Sequence, residues 1–559
     1  MTALATLAVL TLYMGAINRD ITSPGEARAV QIAYEMHKRG DYILPSLRGE
    51  VSGESLTKPP LFHWLLIATA VPFDWQNFSL RLVPMAVTLI SLWLVFVLGR
   101  RMFDAPTGAF SALVLASTVL FLPYGLSARI DQFFSVLILL AMTAFYNATV
   151  VDVKTKPLMV FFIATGLAVM AKGPAGAIIP FGTALVYCLT VCEPKALKRH
   201  LPLWGFLVFL AISLPWYALV IIKAPPDLVH NMFLAEPANW LEGKTSASQS
   251  ALWWVYLPYL LAGLFPWSLF LPVALVFAAL RLIKGHDRQL LMLLFWFLGG
   301  LVLFSVGGKK AARYLLPMLP AGALLIGWYF KQLTVAFKKR PDWGTLMAAA
   351  LVSLLGLVAA LALFTGLQDP EGTLARLIEG RTATDTASLT LLWQTLTTYS
   401  TAVWIMSAGL LVISIAAFVL LFFKRIQWAV FGYTVFAWIL LAGYFHVALP
   451  HQAAGISTRT AAENIARLVP SGATLHGGGG AYQRSLHWYL RRDFDLHTQQ
   501  TLVEIARADF MSYVFIMHRN ALPEDIQTNR SIKRWHTAKS HITLLMPTVN
   551  NKAADTKEN

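Results

Sequence analysis

Basic residues stand at four separate places beside apolar runs of this 559-residue chain, and each of them could bind an anion. They lie in "GEARAV", "TKPPLF", "AKGP" and "GGKKAARYLL", and they are Arg28, Lys58, Lys172, Lys309, Lys310 and Arg313, followed by Tyr314. Arginine and lysine neutralise phosphate oxygens directly, arginine through two parallel hydrogen bonds and lysine as a point charge. We therefore expect a phosphate ligand. The location of these residues in the protein indicates which kind of molecule contains that phosphate.

Two carboxylates accompany the basic residues. Glu26 lies in the first turn of a helix-like stretch in "SPGEAR", and Asp131 begins an apolar helix in "SARIDQFF". Such a carboxylate can act as a helix cap or interact with the helix dipole, but an ionisable residue at membrane depth is costly and suggests a function. The basic residues have plain alternatives too, since Arg28 could anchor lipid headgroups and Lys172 could extend to the interface.

The composition indicates a membrane protein. Hydrophobic residues make up 57% of the chain and charged residues 13%, with a mean hydropathy of +0.59, whereas a soluble domain carries about a quarter charged residues. Runs such as "LVPMAVTLISLWLVFVLG" approach the roughly 20 helical residues that cross a hydrocarbon core. The net charge of +16 lies mostly between such runs, which argues against a nucleic-acid partner.

The apolar runs predict about 13 transmembrane helices. The predicted spans are 1–18, 80–99, 107–125, 130–150, 157–171, 173–192, 201–223, 262–282, 289–306, 313–330, 345–366, 400–423 and 427–449. Every second connection is basic, and short basic connections stay cytoplasmic. The N-terminus is therefore predicted inside and the last residues outside, with residues 1–449 forming the transmembrane domain.

Long outward-facing regions follow from this topology, namely 19–79, 224–261 and the C-terminal 110 residues. The stretch that starts at Ser23 has the pattern of an amphipathic helix lying on the interface. The segment 60–73, "PLFHWLLIATAVPF", is too short to span and is also predicted to lie on the membrane. All four basic places then lie at the outer face, where a phosphate carried by a lipid fits best.

Residues 450–546 are predicted to form a small α/β domain outside the membrane, followed by a disordered tail at 547–559. "TAAENIARLV" has helical spacing, whereas "SYVFIMH" and "HITLLM" are typical of short buried strands. "HGGGGAY" (476–482) lacks the Lys-Ser/Thr of a phosphate loop and is interpreted as a flexible loop. We expect no cofactor and no metal, because no His/Cys group has zinc spacing and outer carboxylates are dispersed.

The ordered motifs resemble those of a known family. "GEARAVQIAYEM", "GDYILP", "TKPPLFHW", "SLRLVP", "ARID", "AKGP" and "ARYLLPMLP" look like the membrane glycosyltransferases of the GT-C class. The closest group is the bacterial one that contains the lipid A aminoarabinose transferase and the protein O-mannosyltransferase-like enzymes. The resemblance covers roughly residues 20 to 325 and implies a GT-C-like fold with periplasmic interfacial helices.

The resemblance also implies a function. Such enzymes take a sugar from a polyprenyl-phosphate carrier, undecaprenyl phosphate in bacteria, at the periplasmic face of the inner membrane and pass it to an acceptor. For this chain the resemblance implies that Lys58, Arg28 and Tyr314 bind the donor phosphate. Asp131 would orient the lysine or a sugar hydroxyl, and Glu26 would assist catalysis. A second anion, such as an acceptor phosphate on lipid A, would meet Lys172, with Lys309, Lys310 and Arg313 as further candidates.

One position departs from the family pattern. The family reads Asp-Glu-x-Arg, with the aspartate as general base, but here Gly25 precedes Glu26 and Arg28. Glycine cannot accept a proton. Three explanations stay open: Glu26 or Asp20 substitutes, the acceptor is already ionised, or catalysis is impaired.

Other functions stay open as well. A transporter or flippase of lipid-linked sugars would place charges near mid-bilayer between broken helices, whereas these charges cluster at one face. A transferase with a protein or polysaccharide acceptor, or a non-catalytic glycolipid-binding relative, would retain the same phosphate-binding residues.

Overall fold

The structure is a computed structural model that describes most of the chain. The described residues are 2–47, 49–149, 154–191, 197–242, 253–285, 287–336, 343–379, 383–470, 472–478, 483–491, 495–497, 499–508, 513–518, 531–536 and 541–546. The predicted tail at 547–559 and part of the glycine run at 476–482 lie outside them.

The larger of two compact units contains Met1–Asn18, Ile32–Gln368 and Ser400–Val447 and is helical. The helices of the first half of the chain are α1 Thr2–Met14, α2 Pro24–Arg39, α3 Leu61–Ala70, α4 Leu82–Met102, α5 Ala105–Leu115, α6 Phe121–Tyr124, α7 Ile130–Thr149, α8 Thr155–Lys172, α9 Ala175–Val191, α10 Leu197–His200, α11 Leu203–Lys223, α12 Pro226–His230, α13 Glu236–Glu242 and α14 Tyr256–Gly263. Of α2, only the part from Ile32 onward belongs to this unit. The remaining helices of this unit are α15 Leu271–Lys284, α16 Arg288–Val306, α17 Leu319–Ala336, α18 Trp343–Gln368, α21 Ser400–Phe422 and α22 Ile426–Gly443. Shorter 3₁₀ or π turns link several of them: Val71–Phe73, Ser79–Arg81, Asn231–Ala235, Trp253–Val255, Trp267–Leu269, Ala312–Met318 and Tyr444–Ala448.

The multi-span prediction is confirmed in its coarse form. Within the described residues, seven helices are long and apolar enough to cross a membrane. They lie at Ser79–Met102, Ile130–Thr149, Thr155–Lys172, Leu197–Lys223, Arg288–Val306, Val403–Phe422 and Ile426–Leu468. Each predicted span overlaps a helix, but several of these helices are short, as α5 is with 11 residues. The number of about 13 spans therefore stays a prediction.

The smaller unit comprises Arg19–Gln31, Asp369–Tyr399 and the residues from Ala448 onward. Its later helices are α19 Pro370–Ile378, α20 Ala383–Thr398, α23 Leu449–Ile456, α24 Arg459–Leu468, α25 Gln483–Leu490 and α26 Gln499–Ala508. Its strands are β1 Leu475–Gly478, β2 Asp495–His497, β3 Tyr513–His518, β4 Ser531–His536 and β5 His541–Met546. The predicted domain boundary near residue 449 stays a prediction, and the pattern gave no sign that 19–31 and 369–399 belong to this unit.

The strands form one mixed sheet in the order β2-β1-β3-β5-β4. β1 pairs in parallel with both β2 and β3, whereas β5 runs antiparallel to β3 and β4. Apolar residues of α24 and α25 pack on the sheet with Leu475, Phe515 and Leu544. The predicted helix and both predicted strands are confirmed, and the alternation of strand and helix from β1 to β3 gives the α/β character.

The structure contradicts the interpretation of the glycine run as a flexible loop, for the residues of the run that it describes. Residues 475–478 form β1, which has a strand on each side. A Cβ on Gly477 would lie 2.1 Å from Cζ of Phe515, whose ring packs against this strand. Glycine here makes room for an aromatic neighbour, which a pattern of consecutive glycines does not reveal.

The prediction that α2 lies on the membrane interface stays a prediction. The buried residues of this helix occur on every side and include Glu26, Val30, Gln31, Ile32 and Glu35. Lys38 and Arg39 at its end are exposed. Polar residues such as Gln31 and Glu35 made the sequence look amphipathic, but here they are buried.

Candidate active site

Asp131 and Lys172 lie at the same end of two adjacent antiparallel helices. Asp131 is in the first turn of α7, and Lys172 is the last residue of α8. The chain leaves α8 at Gly173 with φ +84°, a conformation that residues with a Cβ rarely adopt. The "ARID" and "AKGP" motifs therefore meet because one starts a helix and the other ends its neighbour.

Asp131 is the centre of a charge cluster. Its Oδ1 lies 2.7 Å from Nζ of Lys172, and its Oδ2 lies 3.4 Å from Nε of Arg129. Nε of Arg313 lies 3.8 Å from Oδ1. The side chains of Asp131 and Lys172 are 4% and 7% exposed, and those of Arg129 and Arg313 are 22% and 30% exposed. Three cations thus share one carboxylate in this cluster, and the two arginines retain access for a negatively charged ligand.

Aromatic rings enclose the ammonium of Lys172. Its Nζ lies 4.9 Å from the ring centroid of Tyr314 and 5.1 Å from that of Phe134. The Tyr314 ring stacks on Phe304 at 5.2 Å, and the Arg313 guanidinium lies 5.2 Å from the centre of the Tyr314 ring. Cation–π contacts of this kind stabilise a desolvated cation.

The segment Ala312–Met318 carries Arg313 and Tyr314 to this place. Ser135 of α7 donates a hydrogen bond from Oγ to the carbonyl of Leu316 at 2.9 Å, which ties the segment to the helix of Asp131. This segment therefore presents Arg313 and Tyr314 beside Asp131 and Lys172.

Lys309 and Lys310 lie close to Arg313 in the sequence, but their contacts differ from those of the charge cluster. The ammonium of Lys310 donates to the carbonyls of Phe304, Ser305 and Gly307 at the end of α16. Lysine is favourable at a helix C-terminus, where carbonyls lack partners within the helix. Burial lowers the pKa of Lys310. The main chain of Lys309 donates to the carbonyl of Trp240 at 3.2 Å, which joins this loop to α13.

Lys58 lies in the larger unit, in the bend that precedes α3. Its side chain is half-buried, and Pro59 and Pro60 follow it directly. The first turn of α3 then begins at Leu61. The prolines fix the backbone where this loop returns to the helical part of the unit.

Glu26 and Arg28 lie in the smaller unit. The Glu26 carboxylate is fully buried and pairs with Arg19, whose Nη2 lies 3.1 Å from Oε2. Arg28 is half-buried on the same turn. Asp20, the other candidate replacement for the family aspartate, accepts a hydrogen bond from Ser457 at 2.7 Å and lies 3.4 Å from Arg459.

The C-terminal residues of the smaller unit hold the segment that carries Glu26 and Arg28. The amide of Ile21 donates to the hydroxyl of Tyr489 at 2.6 Å, and Nε2 of Gln31 lies 2.8 Å from Nδ1 of His487. Both contact residues belong to α25. These contacts bracket the segment on either side of Gly25.

Comparison with known proteins shows what the chain is similar to. The family model for dolichyl-phosphate-mannose-protein mannosyltransferase matches residues 57–218. An undecaprenyl phosphate-alpha-4-amino-4-deoxy-L-arabinose arabinosyl transferase of Pseudomonas fluorescens is 29% identical over 372 residues, which cover 63% of each chain. A similarly named protein of Edwardsiella ictaluri is 32% identical over 337 residues, which cover 59% of each chain.

A solved structure matches over a greater length. The crystal structure of ArnT from Cupriavidus metallidurans bound to undecaprenyl phosphate superposes with a TM-score of 0.76 at 17% identity and covers 96% of both chains. Its apo state gives a TM-score of 0.75. The chain resembles the GT-C class aminoarabinose transferases. At this identity the superposition establishes the fold, and the matched relatives are covered over less than two thirds of their length.

The residue roles that the resemblance implies stay predictions, but the structure shows which residues are together. In the larger unit it joins Asp131, Lys172, Arg313 and Tyr314, and it adds Arg129 and Phe134, which the sequence gave no role. Arg129 stands two residues before Asp131 in the "ARID" motif, so its position was visible although its pairing was not.

Arg81 of the "SLRLVP" motif is a further residue without a predicted role. It is fully buried, and its guanidinium donates to the carbonyls of Asn77 at 2.7 Å, Ile17 at 3.2 Å and Leu126 at 3.2 Å. The contact with Leu126 stabilises the turn that leads into Arg129 and Asp131.

Proposed function

We propose that the chain transfers a sugar, an aminoarabinose or a related pentose or hexose, from an undecaprenyl-phosphate-linked donor to a periplasmic acceptor. The observation that carries the proposal is the charge cluster, in which Arg129, Lys172 and Arg313 share Asp131. Its excess of positive charge suits a phosphate. The relatives are named for transfer from undecaprenyl phosphate, and one structure with this fold contains that lipid.

The chemistry explains why cations are needed. The acceptor oxygen attacks the anomeric carbon, and the bond between that carbon and the donor phosphate oxygen breaks. The electron pair stays on the phosphate, which changes from a singly charged diester to a monoester with greater negative charge. Fixed cations that meet this developing charge lower the barrier.

The predicted site residues other than Glu26 each have a part in this proposal. Lys58, Arg28 and Tyr314 bind the donor phosphate, and Asp131 holds Lys172 in place through their ion pair. Lys172, Arg129 and Arg313 receive the second anion. Lys310 supports the loop by binding the end of α16, and Lys309 remains a candidate for the second anion.

The glycine at position 25 favours an acceptor that is already ionised. A hydroxyl acceptor must lose a proton as it attacks, and a general base would receive it. Glu26 is buried against Arg19 and Asp20 is bound by Ser457, so both carboxylates have other contacts. A phosphate monoester, such as one on a lipid A-type glycolipid, attacks without losing a proton.

The proposal includes the location of the protein. We place it in the bacterial inner membrane, with about 13 spans, the charge cluster at the periplasmic face and the residues 450–546 in the periplasm. The basic connections on the opposite side support this orientation. Membrane lipid surrounds the spans, and the proposal requires neither a metal nor a nucleic acid.

A reconstituted assay tests the proposal. The purified chain in lipid nanodiscs is given a synthetic undecaprenyl-phosphate aminosugar and a lipid A acceptor, and mass spectrometry detects the product. We expect transfer by the wild type and at least about a hundredfold loss in Lys58→Ala, because a charge-assisted contact to phosphate is removed. Lys223→Ala, at an exposed lysine at the end of α11, is the matched control and keeps wild-type transfer.

Three results would contradict the proposal. They are the absence of product with wild type, full activity in Lys58→Ala, and movement of the donor across the bilayer without transfer. The last result indicates a flippase. If product forms only on a peptide or polysaccharide acceptor, the chain is still a transferase, but its acceptor is not lipid A.

A further inference from the structure

The "GDYILP" motif forms a tight turn in the first outer loop. Gly40 has φ +68°, and Oδ1 of Asp41 accepts hydrogen bonds from the amides of Ile43 at 2.9 Å and Leu44 at 3.1 Å. An aspartate that binds amides two and three residues ahead makes an Asx turn. The Asp41 carboxylate therefore shapes the local backbone.

Two tryptophans from other elements bind this turn. Nε1 of Trp64, in α3, donates to the carbonyl of Tyr42 at 2.8 Å. Nε1 of Trp216, in α11, donates to the carbonyl of Ile43 at 2.8 Å, and Trp216 is 3% exposed. Consecutive carbonyls of one turn thus receive donors from two different helices, which fixes the turn relative to both.

The same contacts enclose the loop that carries Lys58. Leu56 lies two residues before Lys58 and is 1% exposed, and Leu61 lies three residues after it. Both belong to one apolar cluster with Leu44 and Trp216. The backbone at Lys58 is therefore held on both sides by a cluster that the Asp41 turn completes.

We propose that Asp41, Trp64 and Trp216 are positioning residues for Lys58. The Asx turn presents two carbonyls to the tryptophans, and the apolar cluster around them fixes the bend from which the lysine extends. This inference rests on the proposed role of Lys58 in binding the donor phosphate. It gives the Gly-Asp-aromatic motif a structural task that does not involve proton transfer.

The inference predicts different effects on the turn for two substitutions of Asp41. Asparagine keeps an Oδ1 that accepts both amides, so Asp41→Asn retains the turn. Asp41→Ala removes both hydrogen bonds. If Asp41 were instead a general base, asparagine and alanine would abolish transfer alike, since neither accepts a proton.

The experiment compares these variants as full-length protein in nanodiscs. We expect Asp41→Ala and Trp216→Phe to raise the KM for the undecaprenyl-phosphate sugar about tenfold, with kcat changed less than about threefold, because each removes hydrogen bonds that hold the loop. Asp41→Asn restores the wild-type KM. Glu50→Ala, which removes an exposed carboxylate from the same loop, is the control and has wild-type kinetics.

Hydrogen exchange at residues 42–44 and binding of undecaprenyl phosphate alone provide readouts that do not require transfer. The inference predicts faster exchange and weaker binding in Asp41→Ala and normal values in Asp41→Asn. Wild-type exchange, binding and KM in Asp41→Ala would overturn it, as would equal loss of kcat in both Asp41 variants. If the wild type binds the lipid but transfers no sugar, the proposed function fails while these readouts still decide the positioning role.

Discussion

The ammonium of Lys172 lies 2.7 Å from Oδ1 of Asp131, and both side chains are more than nine-tenths buried. They belong to different helices and are separated by 41 residues in the chain. Arg129 and Arg313 reach the same carboxylate from the more exposed side. A buried carboxylate that faces three cations compensates part of their charge and fixes their positions.

Asp131→Asn is expected to destabilise the protein and stop transfer. The substitution leaves Lys172 buried without its carboxylate, and breaking a buried ion pair costs about 3–5 kcal/mol. Thermal unfolding in detergent measures the loss.

The matched variant is Lys172→Met, and the double variant tests the coupling. We expect the double variant to be less destabilised than the sum of the single variants, because no unpaired lysine remains. Additive losses would show that the pair is not coupled. Asp104→Asn, at the partly exposed cap of α5, is the control and changes stability much less.

Gly173→Ala is expected to weaken both stability and transfer. The backbone at Gly173 has φ +84° and ψ −156°, where a Cβ costs about 1–3 kcal/mol. Relief of this strain would move the end of α8 and with it Lys172.

Gly182→Ala is the matched control for this substitution. Gly182 lies within α9, and a Cβ there meets no atom within 4 Å. Alanine inside a helix is favoured over glycine by about 1 kcal/mol, so this variant keeps or gains stability. Equal melting temperatures for both variants would contradict the strain at Gly173.

The pH dependence of transfer reports the state of the acceptor. The second pKa of a phosphate monoester is about 6, so the dianion predominates above that pH and is lost below it. We expect kcat/KM for a phosphate acceptor to fall as the pH drops through about 6, and to be level above it.

Gly25→Asp tests whether the natural acceptor needs a general base. It supplies the family aspartate, which would accept the proton of a hydroxyl acceptor. We expect a gain with hydroxyl acceptors and none with a phosphate acceptor. A gain with the phosphate acceptor would show that a base limits the natural reaction.

Gly477→Ala is expected to destabilise the C-terminal sheet. The added Cβ would meet the Phe515 ring at 2.1 Å, and Phe515 is fully buried, so overpacking costs about 1–3 kcal/mol. Hydrogen exchange of β1 and β3 measures the effect.

Two further variants complete that test. Phe515→Leu combined with Gly477→Ala should be less destabilised than the two single variants added together, since the smaller side chain removes the clash. Gly472→Ala, where a Cβ meets no atom within 4 Å, should behave like wild type. A silent Gly477→Ala would contradict the packing at β1.

The sequence by itself determined where the helices run and which ends carry charge. Apolar run length predicts a membrane helix directly, and "SYVFIMH" and "HITLLM" have the composition of buried strands. Motif order also predicted Asp131, Lys172, Arg313 and Tyr314 as site residues at one face. These features depend on residues close together in the chain.

The tertiary structure decided which of these groups share one place. It joined Arg129 and Arg313 to a single carboxylate, directed Lys310 to the end of α16, paired Glu26 with Arg19 and turned Asp41 into the acceptor of an Asx turn. The partners of a charged side chain depend on helix packing, which brings together residues far apart in the sequence. A local pattern contains the charges, but the fold sets the distances between them, and those distances determine how the charges interact.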